Sequence, residues 1–568
     1  MSLYSSVSRR YGLFSAGALL CLCGCRSLPL EGRRVNREEQ LSGYRDDAAR
    51  LRGLPLTRGV AVERETAAAL RGSLEEELDE PENRAFMADT ALLLRQFRVL
   101  KPGDSLRELY LGLMSQQVAA YYDPEKKRVA YVEENLGGGA KGGAKFPGME
   151  RFVYVHEFCH AVEDAHFDLD RLEKASLVEL DRNLALTALA EGDAVLVGLD
   201  SLCDGYPVNT ATPLGAALVR LMGKMDMGDS VEEMGACPPF LAGALMRPYL
   251  DGAAFCNRIR RDEGWQGLDR AYRSDLPLTT AEILYPERRY LTPFTPAVFT
   301  PDASLFAADE QVCATNSLGV LGMALWLKEE DLGGVRGLPF LEGWMGDRIY
   351  LVKGAGTNAV QTVWLSYWER PGQARSFQKR VAQRLREGSG GAPVAVRREG
   401  RLVAAVWSSD PACPAAACDG RAERALKSRA DAVTPSVLSS CWADLPLPLR
   451  FPVYAGHSAG CEILGGCVAD VRGGPDFFRV NLASGLLLNV ENTPDRHHVS
   501  TCWGLLRHVA DAQSDFTYWQ VPAVATWHRR GSGGAERYRW SLLGGLLADV
   551  SDRRARVLLI PVWHKKQG

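Results

Sequence analysis

The histidines of this chain are so unevenly spread that they constrain its architecture before anything else does. Between residues 26 and 456 there are three, His156, His160 and His166, and all fall in one segment. That segment, Met149 to Phe167, holds no proline or glycine, which predicts an unbroken helix. Within it His156-Glu157-Phe158-Cys159-His160 has the form HExxH. Four residues at about 100° each turn through about 400°, so both imidazoles project from one face and can grip one ion. Glu157 then points near the open side of that ion, where it can take a proton from bound water. Imidazoles, a carboxylate and one open position suit a single Zn2+. HExxH alone also occurs on ordinary solvated helices, so a third ligand has to come from elsewhere.

Two candidates exist. Glu191-Gly192-Asp193 interrupts an apolar helical run, Ala185–Ala190 before it and Ala194–Val197 after it. A carboxylate buried there is costly unless something compensates it, and a metal ion would. The alternative is His166, six residues past His160, the spacing of the metzincin pattern HExxHxxGxxH. That pattern needs a glycine where this chain has Glu163. On an unbroken helix six residues turn about 600°, equivalent to about 240°, and His166 faces away. Glu191 is therefore the favoured third ligand. Asp193 either accepts from a ligand imidazole, as outer carboxylates do, or lies on the helix surface.

The run His156–Leu172 (HEFCHAVEDAHFDLDRL) with Ala185–Ala194 (ALTALAEGDA) resembles a little-characterised bacterial group of secreted or lipid-anchored gluzincin-type HExxH proteins. Their usual pattern is HELTHALQDQHFDL followed by an EGDA helix. Tyr121-Tyr122-Asp123-Pro124, Ile283–Arg288, Ser317-Leu318-Gly319 and Gly343–Arg348 match as well, so the likeness spans about residues 45 to 405. It implies a zinc metallopeptidase in which His156, His160 and Glu191 hold the ion and Glu157 is the base. Tyr285 stands where that group more often has histidine. Tyr285 and Arg348 are candidate donors to the tetrahedral intermediate, with packing or an ion pair as the other role for each.

The rest of the chain sets the surroundings. With 67 basic and 70 acidic side chains there is no electrostatic footprint for nucleic acid. Arg9 and Arg10 precede a short apolar run, Leu13 to Cys23, and Leu22-Cys23-Gly24-Cys25 resembles a bacterial lipobox. Residues 1–25 are thus expected to be a signal peptide cleaved before Cys25, whose thiol is lipidated. That places the chain at the cell envelope, anchored to a membrane. Residues 26–44 read as a tether and 45–409 as a mainly helical gluzincin-like zinc-peptidase domain.

Within that domain a strand is expected at Thr57–Val62 and a hairpin at 118–132. Helical patterns cover Glu63–Glu77, Ala85–Val99, Ser105–Gln116, Met149 to about Leu202, Ser317–Lys328 and Val360–Gln383. The Ala-, Ser-, Pro- and Cys-rich stretch 410–440 reads as a linker. Residues 441–568 read as an all-β antiparallel domain that could contact an envelope partner, making the whole chain α+β. Weak repeats begin at Gly485, Gly504 and Gly545, with Pro522–Trp527 a degenerate copy, at the spacing of one hairpin per unit. Eleven cysteines follow Cys25; Cys203/Cys237, Cys256/Cys313 and Cys413/Cys418 are the nearer pairs, and Cys159 is expected to be a buried free thiol.

Two rival functions remain. Gly456-His457-Ser458-Ala459-Gly460 matches GxSxG, the serine hydrolase elbow, which requires a strand–turn–helix setting. The other rival is a catalytically silent HExxH scaffold displayed at the surface. A peptidase needs a peptide or protein substrate, and the hairpin at 118–132 could hold one as an added strand.

Overall fold

The computed structural model describes residues 37–433, apart from 57, 133–134, 136–147, 205–208, 223–236, 287–289, 291–293, 328–337, 355–358 and 388–390. From 449 to 564 it describes the strands together with residues 483 and 487. The signal peptide and Cys25 lie outside the described residues.

Helix formation begins inside the expected tether. Arg37–Arg52 (α1) is helical, with Glu38 and Glu39 in its first turn and Arg50 and Arg52 in its last, charges that complement the helix dipole. Leu41, Tyr44, Ala48 and Leu51 pack on Tyr154, Val155 and Phe158, so from residue 37 this stretch belongs to the fold. Ala61–Glu65 (β1) follows, then Ala67–Leu78 (α2), Pro81–Gln96 (α3) and Leu106–Gln117 (α4). Thr66 and Ser105 cap α2 and α4 through their hydroxyls, and Pro81 starts α3 where a missing N–H costs nothing. The strand reaches Glu65 rather than ending at Val62, because Glu63 and Glu65 are drawn to Arg128 across the sheet.

Ala120–Asp123 (β2) and Arg128–Val132 (β3) form the expected hairpin. The order is β1-β3-β2, with β1 parallel to β3 and β2 at an edge. Helices Met149–Phe167 (α5), Leu169–Ser176 (α6), Leu180–Leu202 (α7), Pro213–Met222 (α8) and Pro239–Arg273 (α9) come next. The last is 35 residues long, breaks at Gly264 (φ 70°), and was not legible as one helix in the sequence. Its contact with α7 is very close. A Cβ on Gly192 would lie 2.2 Å from the carbonyl of Gly252, so only glycine lets these backbones cross there.

Thr280–Leu284 (α10), Thr295–Thr300 (β4), Glu310–Asn316 (β5), Gly319–Leu327 (α11), Trp344–Gly354 (β6) and Val360–Trp368 (β7) lead to Pro371–Glu387 (α12), Val394–Glu399 (β8) and Leu402–Ser408 (β9). The sheet order is β5-β6-β7-β9-β8. The helix expected over Val360–Gln383 is therefore a strand and then a helix. β7 is covered on both faces: Trp364 and Trp368 enter the large helical core, Val363 and Leu365 the smaller one behind. A strand buried on both faces loses its alternation, and its apolar run resembles a buried helix.

Residues 410–433 of the expected linker are also structured, and 434–440 lie outside the described residues. Ala415–Ala425 (α13) closes the second face of that sheet with Cys418, Ala422 and Ala425, and Arg429–Val433 (β10) pairs with β4. Alanine and cysteine are enriched there because a helix lies close on a sheet, not because the chain is unfolded.

The C-terminal part is an antiparallel meander. From Ser458–Ile463 to Ile560–His564 each strand pairs with the one before it. The repeats fall in phase, each leading into an alternate strand: Leu488–Asn492, Leu506–Asp511, Ala525–Arg530 and Ala548–Ser551. Val471, Val480, Val490 and Val499 stand opposite one another along one row, and Arg472 and Arg479 along the next. Arg472 pairs with Asp262 of α9, and Arg479 donates to the carbonyl of Arg261 at 3.3 Å, which docks the meander on the helical part. Ser458 opens a strand that folds back on Val453–Tyr454, with Tyr454 opposite Ser458. The motif's described residues, Ser458 to Gly460, lie in an antiparallel strand and not at the start of a helix, so the serine hydrolase reading falls for want of a strand–turn–helix.

Candidate metal centre

α5 carries the motif because nothing interrupts it. It starts after Gly148 in the left-handed region (φ 92°) and ends at Asp168 (φ 54°), whose carboxylate accepts from the Arg171 amide to start α6. With no break at Glu163, His166 turns outward and lies 2.7 Å from the carbonyl of Pro55. It is not brought to His156 and His160.

Glu191 is. Its Oε2 lies 3.2 Å from His156 Nε2 and 3.5 Å from His160 Nε2, and the two imidazole nitrogens are 3.1 Å apart. Three donors at about 2.0–2.1 Å from a tetrahedral zinc stand about 3.3 Å from one another, so this triangle has the size of one face of such a site. The donor chemistry fits too, two imidazoles and a carboxylate, all fully buried. Burial pushes the His156 imidazole down to about 3, which keeps it neutral, the form that ligates. Phe152 and Tyr249 stack on its ring at 5.9 and 6.2 Å and hold its plane.

Glu157 faces the hairpin. Its Oε2 accepts from the Tyr122 amide of β2 at 2.9 Å. Burial, aided by the Glu191 carboxylate, raises Glu157 well above the usual carboxylate range, against the pull of that amide.

The carboxylate behind the ligand imidazole is not Asp193. Glu163 Oε2 lies 2.9 Å from His160 Nδ1, fixing the tautomer that leaves Nε2 free to bind. The signal was present in the sequence: Glu163 is three residues from His160 and shares its face. Asp193 is about 200° around α7 from Glu191 and accepts instead from Arg52 Nε at 2.8 Å. Arg52, the last residue of α1, also donates to Asp269 at 2.8 Å and lies over the Trp265 ring. Burial still lifts Asp193 to about 7 despite that guanidinium. Cys159, Glu163 and Asp193 converge within 4.8 Å, and Arg52 supplies the cation that balances them.

The remaining candidates are placed elsewhere. Arg348 donates to Glu179 at 2.6 Å, at the N-terminal end of α7 and about 18 Å of helix from Glu191. The ion-pair role weighed for it is the one it has. Tyr285 is half-buried, just after α10, whose Thr280 donates to Asp181 at the start of α7. Cys159 is a buried free thiol as expected. None of the three disulfides is formed, although Cys413 and Cys418 both lie near Gln361 Nε2, at 3.8 and 3.5 Å.

Comparison with known proteins adds little to this geometry. Residues 310–424 match the model of a domain of unknown function (DUF8575), a stretch that contains the β5–β9 sheet and none of the three ligand candidates. No curated protein matches the chain. A solved structure from Chloroflexus aurantiacus, described as "a putative hydrolase with a novel fold", aligns at 18% identity over 48% of this chain and 94% of its own. Its TM-score of 0.25 is too low for either fold to be read from the other.

Proposed function

We propose that the chain is a zinc-dependent peptidase of gluzincin type, held at a bacterial envelope by a lipid on Cys25. The observation that carries this reading is the triangle of His156, His160 and Glu191, 3.1–3.5 Å on a side, with Glu157 on the same helix. His156 and His160 would hold the ion with Glu191, and Glu163 would keep His160 oriented. A zinc ion at that position lowers the pKa of water toward neutrality and polarises a carbonyl. Glu157 takes the proton of the attacking water and passes it to the leaving amine as the peptide bond breaks.

In this reading a peptide pairs along β2, which lies at the edge of its sheet but whose four residues are buried, so the substrate must displace what covers them. Because the Tyr122 amide is bonded to Glu157, an arriving substrate frees that carboxylate by taking its place. The meander, docked on α9, is a contact surface for an envelope partner in this reading.

Complete burial of all four groups favours one other reading, a silent scaffold in which the ion only holds α5 to α7. Glu157→Gln separates them. A peptidase keeps its zinc, measured by elemental analysis, and loses turnover by at least about 100-fold. Equal cleavage by variant and wild type, or no cleavage by either across a broad peptide set, would favour the scaffold.

A further inference from the structure

A cleft of about 480 Å³ opens where α5 ends, and its charge is lopsided. Four separate stretches of chain bring cations to it: Arg58 before β1, Lys127 in the hairpin turn, Arg171 on α6 and Arg273 at the end of α9. The two carboxylates that also line it are engaged. Asp164 accepts from the Tyr122 hydroxyl at 2.9 Å, from Lys127 Nζ at 2.6 Å and from the Leu169 amide at 3.2 Å. Asp168 caps α6 through the Arg171 amide. Arg58 and Arg273 are exposed and have no carboxylate partner among the described residues. Arg273 is nonetheless held in place, its guanidinium 5.3 Å from the centre of the Phe167 ring. Two guanidinium groups lining one concavity whose carboxylates are engaged by other partners form a site for an anion.

The cleft is joined to the centre through one residue. Tyr122 gives its amide to Glu157 and its hydroxyl to Asp164, so the base and the cleft wall lie on either side of the same strand position. Asp164 is one helical turn beyond His160. A peptide added along β2 would therefore lead from the bond facing Glu157 into the cleft within a few residues.

We infer that this cleft is a carboxylate-binding subsite, so that the substrate carries an acidic side chain or a free C-terminal carboxylate near the cleaved bond. The inference rests on the peptidase reading for its meaning, but its test does not. Three labelled hexapeptides serve as probes: one with a glutamate and an amidated C-terminus, its neutral glutamine twin, and that twin with a free C-terminus. Anisotropy is measured on the full chain at low salt with o-phenanthroline present, a neutral chelator that stops turnover without competing for the cleft.

At least one carboxylate-bearing probe binds about ten-fold tighter than the neutral twin, and which one does so identifies the carboxylate's source. Arg58→Ala with Arg273→Ala removes the difference, whereas Lys379→Ala with Arg380→Ala on α12, an equal change in net charge, leaves it. Equal binding of all three probes, or an unchanged preference in the Arg58/Arg273 variant, overturns the inference. Charge-selective binding without cleavage by the zinc-loaded protein would remove the peptidase reading alone. Cleavage with no charge preference would remove the subsite alone.

Discussion

Glu163 shows how much a single position decides. A glycine there would break α5 and let a histidine three residues on, such as His166, swing back toward His156 and His160. Glutamate keeps the helix whole, sends His166 to the Pro55 carbonyl and braces His160 at 2.9 Å. Because a carboxylate raises the basicity of the imidazole it holds, Glu163→Gln should weaken zinc binding by about 10–100-fold. Competition against a fluorescent chelator measures this, and an unaltered affinity would remove Glu163 from the centre. The metal-free melting temperature of the variant should stay close to wild type, since glutamine is isosteric and can still bond to Nδ1. Arg52 carries the opposite lesson: it was assigned to no site, yet it neutralises the buried acids beside the centre. Its partner Asp193 is 141 positions away in the chain, and no local pattern announces such a pair.

Between elements, the placing of Glu191 depends on the crossing of α7 with α9. Gly192 sits next to Glu191 at the point of closest approach, where a methyl group would meet the Gly252 carbonyl at 2.2 Å. Backbone cannot yield as a flexible side chain does. Gly192→Ala should therefore destabilise the protein by about 1–3 kcal/mol as overpacking does. It should also lower zinc affinity, because the shift it forces carries Glu191 away from the imidazoles. Calorimetry with and without zinc tests both effects, and a variant with wild-type stability would mean that the helices separate freely. The EGDA segment was legible as a helix carrying a candidate ligand. The reason for its glycine was not, since α9, the helix it crosses, left no clear pattern in the sequence.

Across the whole molecule, the meander and the helical part meet at buried charges. Arg472 is 1% exposed and pairs with Asp262, which Arg258 also contacts at 2.8 Å. Removing one partner of a buried pair leaves an uncompensated charge, at a cost of about 3–5 kcal/mol. Asp262→Ala should thus expose residues 449–564 to proteolysis while the zinc affinity of the centre holds. Equal protection in variant and wild type would mean that the docking rests on other contacts.

What the sequence determined alone was whatever a local period controls. The facing imidazoles of α5 follow from a fixed angle per residue, the hairpin from its turn residues, and the phase of the meander from a repeating unit. Tertiary structure decided what depends on which surfaces meet. It turned an apolar run into the doubly covered strand β7 and a supposed linker into the helix that covers it. It gave Asp193 to Arg52, Arg348 to Glu179 and the Tyr122 amide to Glu157. A helix period acts over a few residues, whereas burial and charge pairing act across space, and separation along the chain says little about either.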